Sequence, residues 1–307
     1  MSMMRKAQRR KSKLRLGISG PAGSGKTFSS LLMACGITGD WDKICLIDTE
    51  NGSGDLYADY NQDGIEIGEF NIISLSAPYT PEKYTAAIKD CEVNGIECIV
   101  IDSLSHAWSG EGGLLDKKGQ IETSGKPGVN SWTAWRDITP MHNRLVESIL
   151  SSKCHVIATL RAKMDYVQEK DGSGKTVIRK VGMNPIQRDG MEYEFTIFMD
   201  INQDHNASAS KDRTSLFDGK VWRPGVDTGR QLLDWLEIGV DAPKPMRNDQ
   251  HDKINELRKG LKMNGTVITN YCQQSFGTAS PNEQQADEVI EWLEAALAAS
   301  SETEASA

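Results

Sequence analysis

The eight residues Gly20, Pro21, Ala22, Gly23, Ser24, Gly25, Lys26 and Thr27 constrain this chain more than any other stretch. They spell G-x-x-x-x-G-K-[ST], a loop whose backbone N–H groups wrap a phosphate. Such a loop works only between a strand and a helix. Leu14, Leu16 and Ile18 alternate with Arg15, Gly17 and Ser19, the period of a strand. Phe28 to Cys35 reads as a helix ending near Gly36. The helix N-terminus adds partial positive charge where the phosphate would sit. Lys26 is expected to reach the β- and γ-phosphates, and the Thr27 hydroxyl to hold Mg²⁺.

A length of 307 residues suggests two domains, at roughly 100–200 residues each. No apolar run is long enough for a membrane helix, and the basic N-terminus lacks the apolar stretch of a secretory signal. Cysteines at 35, 45, 91, 98, 154 and 272 form no C-x-x-C and no zinc spacing. This pattern implies a reducing cytosol with neither a disulfide framework nor a structural zinc. The net charge of −8 excludes a uniformly basic surface. A local basic stripe for nucleic acid stays compatible with it.

Residues 1–13 form a basic arm carrying Arg5, Lys6, Arg9, Arg10, Lys11 and Lys13. It is either a solvated tail or a phosphate-backbone contact. From 14 to 240 short apolar strands alternate with helices. Strands are expected at 43–48, 97–102, 154–159 and 194–201, and helices at 81–93 and about 129–151. This alternation gives an α/β fold with a mainly parallel central sheet flanked by helices. Asp241, Ala242, Pro243, Lys244 and Pro245 open a linker placed at 241–250. A small helical piece follows at 251–299. Asn264-Gly265 reads there as a stop signal, and Ser280-Pro281-Asn282-Glu283 as a capping box. Residues 300–307 read as a disordered tail.

A phosphate loop alone binds nucleotide; hydrolysis needs a second carboxylate for the metal and a group that orients water. Asp102 ends the apolar run Cys98–Ile101, the Walker B pattern, and so stands at the carboxyl edge of a strand, where open α/β sheets bind ligands. Asp48-Thr49-Glu50 ends another strand at the same edge, which makes Glu50 the candidate to align the attacking water. Ser103, not a second acid, follows Asp102. Neither an Asn/Thr-Lys-x-Asp guanine motif nor a Leu-Ser-Gly-Gly-Gln signature occurs, which favours ATP over GTP.

In this order after the phosphate loop, Ile47-Asp48-Thr49-Glu50, Ile99-Val100-Ile101-Asp102-Ser103-Leu104 and Thr159-Leu160-Arg161 resemble the RecA family of P-loop NTPases over residues 14–238. The resemblance implies ATP and Mg²⁺ as cofactors and Glu50 as the water-activating acid. It places the aspartate–serine pair on Asp102 and Ser103. It implies γ-phosphate sensing by Thr159 and Arg161, and a DNA-binding loop at about 162–190. More narrowly, the chain is similar to phage-encoded, core-only RecA-like ATPases of the Sak type. That likeness implies single-stranded DNA as a ligand, recombination or annealing as the role, and the bacterial host cytosol as the place.

The DNA side also has its own signal. Asp171-Gly172-Ser173-Gly174-Lys175 reads as a hairpin tip. Lys163, Lys170, Lys175, Arg179 and Lys180 around it are candidates for phosphate contacts, with Tyr166 for base stacking. A plain solvated hairpin is the competing reading. Trp108, Trp132 and Trp135 lie in a glycine-rich stretch, 107–136, expected as a mobile loop whose tryptophans either stack on bases or pack inside. Lys211 and Arg213 are candidates for a finger reaching a neighbour's γ-phosphate in a head-to-tail homo-oligomer. A single-strand-binding protein is a further possible partner of the helical piece. Rival readings are a nucleotide-dependent switch or assembly ATPase acting on protein partners without DNA, a helicase or loader motor, and a small-molecule kinase.

Overall fold

The computed structural model describes residues 6–62, 64–125, 127–128, 130–170, 176–241 and 243–305, without the side chains of 165–181 and 300–305. Its strands are β1 (Arg15–Gly20), β2 (Ile44–Asp48), β3 (Tyr60–Gln62), β4 (Ile65–Ile67), β5 (Asn71–Ser74), β6 (Cys98–Asp102), β7 (His155–Lys170), β8 (Thr176–Pro185), β9 (Ile197–Ile201), β10 (Ala207–Asp212) and β11 (Val221–Trp222). Its helices are α1 (Lys26–Thr38), α2 (Pro81–Val93), α3 (Ser105–Ser109), α4 (Leu114–Glu122), α5 (Ser131–Leu150), α6 (Val226–Leu236), α7 (Asn248–Gly260), α8 (Gly265–Phe276) and α9 (Glu283–Ala305).

The chain divides into two compact units, 13–237 and 1–12 together with 238–307. The larger unit is an α/β P-loop NTPase fold. Its sheet runs β11-β10-β9-β1-β7-β6-β2-β5, with β8 added as a hairpin on β7. The strands from β5 to β9 along this order are parallel, and β10 turns back against β9. Burial on both faces explains why β1, β2 and β6 read as apolar runs. Leu14, Leu16 and Ile18 pack with α1 and α6 on one face. On the other face Gly17 lies under two rings, and a Cβ there would stand 2.5 Å from Phe198. A second close approach joins the helices: a Cβ on Gly36 would lie 2.1 Å from the Val226 carbonyl, and one on Gly229 equally near that of Met33. These glycines let α6 press against α1, which carries the phosphate loop at its start.

Several elements depart from the sequence expectation. The strand expected at 194–201 begins only at Ile197, because Met191–Tyr193 forms a 3-10 turn and the Thr196 N–H bonds the Arg15 carbonyl at 2.7 Å. The expected mobile loop at 107–136 is largely helical. It holds the end of α3, all of α4 and the start of α5, which Asn130 caps through bonds of 2.9 Å from the N–H groups of Trp132 and Thr133. The strands β3, β4, β5, β10 and β11 were not anticipated.

In the smaller unit α7, α8 and α9 share a core of Ile254, Leu257, Cys272, Ala286, Val289 and Leu293. Asn264 ends nothing for long: its side chain accepts the Thr266 N–H and starts α8. The capping box lies at Asn282 and Gln285 rather than at Ser280 and Glu283. Helix α7 starts inside the expected linker, and α9 continues to Ala305. The basic arm pairs with 238–241 of its own unit. The Lys11 N–H bonds the Val240 carbonyl at 2.9 Å, and the Lys11 ammonium meets Asp241 at 3.1 Å.

One buried histidine ties the start of the sheet together. The Leu14 N–H donates to Nδ1 of His155 at 3.1 Å, which requires a neutral ring. Burial, with Lys13 and Arg15 nearby, lowers its pKa from 6.5 to about 3. The unfolded chain therefore takes up a proton that the fold refuses. This contribution to stability is complete above pH 6.5 and is lost progressively as pH falls toward 3. Denaturant midpoints at pH 7 and pH 5 should accordingly differ less in His155→Asn than in the wild type.

Candidate nucleotide site

The site is built at the carboxyl edge of the sheet. Gly23 and Gly25 hold positive φ values of 76° and 85°, a conformation that costs glycine little. Lys26 folds back across the loop, its ammonium donating to the Pro21 carbonyl at 2.8 Å. Burial lowers the Lys26 pKa, opposed by the charges of Asp102 and Glu50. The Ser24 hydroxyl is buried with no hydrogen-bond partner, an unmet polar group inside the cradle.

Strand β7 lies between β1 and β6, so the phosphate loop and Asp102 face each other across one intervening strand. That strand supplies Thr159. The Asp102 carboxylate accepts from the Thr159 hydroxyl at 2.5 Å through one oxygen and from the Thr27 hydroxyl through the other. Burial raises the Asp102 pKa, while the two hydroxyls pull it down. Hydroxyl and carboxylate oxygens converging beside a phosphate loop form the hard-oxygen donor set that suits Mg²⁺. The residues present therefore fit Mg²⁺ and a nucleotide polyphosphate, with Thr27 and Asp102 as the metal's protein partners.

Asp48 and Asp102 are register partners at the ends of β2 and β6. Asp48 is spent on the backbone, accepting the N–H groups of Glu50 at 2.6 Å and Gly52 at 2.7 Å. This turn holds Glu50 at the site's edge. There its carboxylate pairs with Arg161 of β7, at 2.9 Å from both Nε and a terminal guanidinium nitrogen. Arg161 thus meets Glu50, and Thr159 two residues before it meets Asp102.

A cavity of about 800 Å³ opens beside the loop, lined among others by Phe28, Tyr57, Tyr60, His205, Arg223 and Pro224. The Phe28 ring lies 6.0 Å from that of Tyr57 and 5.5 Å from that of Tyr60. Aromatic walls next to a phosphate cradle suit a nucleobase. None of these wall residues stands out in the sequence, since they come from α1, the turn around β3, the turn between β9 and β10 and the approach to α6.

A family model described as an AAA domain matches residues 12–228, more than two thirds of the chain. The chain belongs to this family of P-loop ATPases. No curated protein matches it. The AAA domain match covers the sheet, the phosphate loop, Asp102 and Glu50, and stops within α6.

Other expected residues lie apart from this AAA domain's site. Lys211 and Arg213, the expected trans finger, stand toward the amino end of β9, since Lys211 pairs with Phe198 in the ladder. The Lys211 ammonium is held by the carbonyls of Glu192 at 3.2 Å, Tyr193, and Phe195 at 2.6 Å. That engagement makes it a clasp for the preceding turn. Lys163 is exposed near the base of the β7–β8 hairpin. Lys175 and the side chains of Tyr166, Lys170, Arg179 and Lys180 lie outside the described residues. Trp108 is buried and stacks on Trp135 at 5.9 Å, while Trp132 is 85% exposed.

Thr159→Val should leave one Asp102 oxygen without its donor. Losing such an outer partner typically costs about 10–100-fold in metal affinity. Mg²⁺ titration of nucleotide binding checks this; an unchanged Mg²⁺ midpoint would contradict the assignment of Asp102.

Proposed function

We propose that this protein is a Mg²⁺- and ATP-dependent, RecA-like ATPase that acts on single-stranded DNA in phage recombination or annealing, as the Sak type does. Lys26 and the loop amides hold the phosphates, and Glu50 aligns the attacking water. Bound Mg²⁺ would neutralise charge on the transferring phosphoryl group, held through Thr27 and Asp102. The nucleobase fits between Phe28, Tyr57 and Pro224.

The observation that carries the DNA reading is the continuity of β7. One strand presents Thr159 to Asp102 and Arg161 to Glu50, then continues to Lys170 and pairs with β8, with one register shift between Asp165 and Tyr166. A nucleotide that draws Glu50 or Arg161 away from the other pulls on the root of a hairpin rich in Lys and Arg. The proposed partners are single-stranded DNA, other copies of the chain and a single-strand-binding protein, in a bacterial host's cytosol. The net charge of −8 favours a second reading, a nucleotide-dependent switch acting on protein partners.

Steady-state ATP hydrolysis with and without single-stranded DNA separates the two. The proposal expects stimulation by DNA that both Lys26→Ala and Glu50→Gln abolish. Hydrolysis indifferent to DNA, yet lost in Lys26→Ala, would favour the protein-partner switch.

A further inference from the structure

His106 has no part in the chemistry described so far, yet it closes a dense knot of hydrogen bonds beside Glu50. The knot centres on the Thr49 hydroxyl, which is buried between Asp48 and Glu50. This hydroxyl accepts the Ser103 N–H at 2.8 Å and lies 3.1 Å from the Asp102 carbonyl. Nδ1 of His106 approaches it at 2.6 Å. The Thr49 N–H also donates to the Asp102 carbonyl, at 2.7 Å. With Nδ1 protonated, the Thr49 oxygen accepts from Ser103 and His106 and donates its one hydrogen to the Asp102 carbonyl, with the Ser103 carbonyl farther off at 3.4 Å. Burial and the Arg161 charge lower the pKa of His106, which keeps the ring neutral.

The ring itself is held in place. Tyr79 stacks on it at 4.8 Å and donates to the Thr49 carbonyl at 3.4 Å. Tyr84 donates to the Ser103 carbonyl at 3.2 Å. The residue before His106 joins the same assembly, since the Ser105 hydroxyl accepts the Arg161 N–H at 3.0 Å. The start of α3 therefore touches the loop that carries Glu50, the turn after Asp102 and the arginine that pairs with Glu50.

We propose that His106 is a positioning residue for ATP hydrolysis: by holding the Thr49 hydroxyl it fixes the main chain of Glu50 relative to Asp102. This rests on the reading of Glu50 as the group that aligns water. The role is assigned to the chemical step, since neither Thr49 nor His106 lines the cavity beside the phosphate loop. A small displacement of a positioned group costs far more in turnover than in binding, up to about 10²-fold.

The test compares hydrolysis by wild type, Lys26→Ala, His106→Ala, His106→Asn and Thr49→Val, with binding of a fluorescent ATP analogue measured in parallel. His106→Ala should lower kcat by about tenfold or more with KM and analogue affinity unchanged. His106→Asn keeps a donor near Nδ1 and should restore much of the loss. Thr49→Val also removes the Ser103 and Asp102 bonds, so it should cost at least as much as His106→Ala, and adding His106→Ala to it should cost little beyond Thr49→Val alone. A His106→Ala kcat equal to wild type overturns the inference, as does a loss that appears equally in KM and analogue affinity. Failure of His106→Asn to recover any turnover while it binds analogue normally also counts against it. Wild type no more active than Lys26→Ala would instead remove the hydrolytic reading itself, and the inference with it.

Discussion

The Asp102 carboxylate organises the candidate site. It ends β6, meets Thr27 at the start of α1 and meets Thr159 on β7, so three elements distant in sequence are held by one charged group. A buried carboxylate is costly unless hydrogen bonds or cations compensate it. Two hydroxyls do part of this, and Lys26 opposes the burial from across the loop. The remaining deficit shows as a raised pKa, and a divalent cation beside Thr27 would remove it.

The sheet order sets what surrounds that carboxylate. Because β7 separates β1 from β6, it touches both halves of the chemistry, through Thr159 on one side and Arg161 on the other. Glu50 reaches the same place from β2, braced by Asp48 below and by the Thr49–His106 bond beside it. On the far face α1 and α6 touch through Gly36 and Gly229, and Arg223 and Pro224, just before α6, line the cavity beside the phosphate loop. Each part of the site is therefore a consequence of packing that begins several residues away.

What could be read from the sequence follows from the range of the interactions involved. The phosphate loop is a local backbone device, so its glycines, Lys26 and Thr27 announce it without any knowledge of the fold. Asp102 and Glu50 were visible because an acid closing a short apolar run marks the carboxyl edge of a strand, and the α/β class followed from the alternation of those runs. The cavity beside the phosphate loop was not legible, because Phe28, Tyr57 and Arg223 meet only after the sheet forms. The stretch 107–136 was misjudged because glycine counts outweighed local capping, which Asn130 and Thr133 supply to α5. Lys211 read in the sequence as a candidate trans finger, and its three carbonyl partners exist only once β10 folds back on β9. His106 could be seen near Asp102, but its bond to Thr49 depends on β2 and β6 lying side by side.

The central claim is that the nucleotide and the hairpin communicate through β7. The most direct measurement is the affinity for a labelled single strand, by fluorescence anisotropy at fixed salt, with a non-hydrolysable ATP analogue and Mg²⁺, with ADP, and with neither. The account expects the analogue to change affinity by about fivefold or more relative to the other two conditions, and Arg161→Ala to erase that difference. Equal affinity in all three conditions would contradict it.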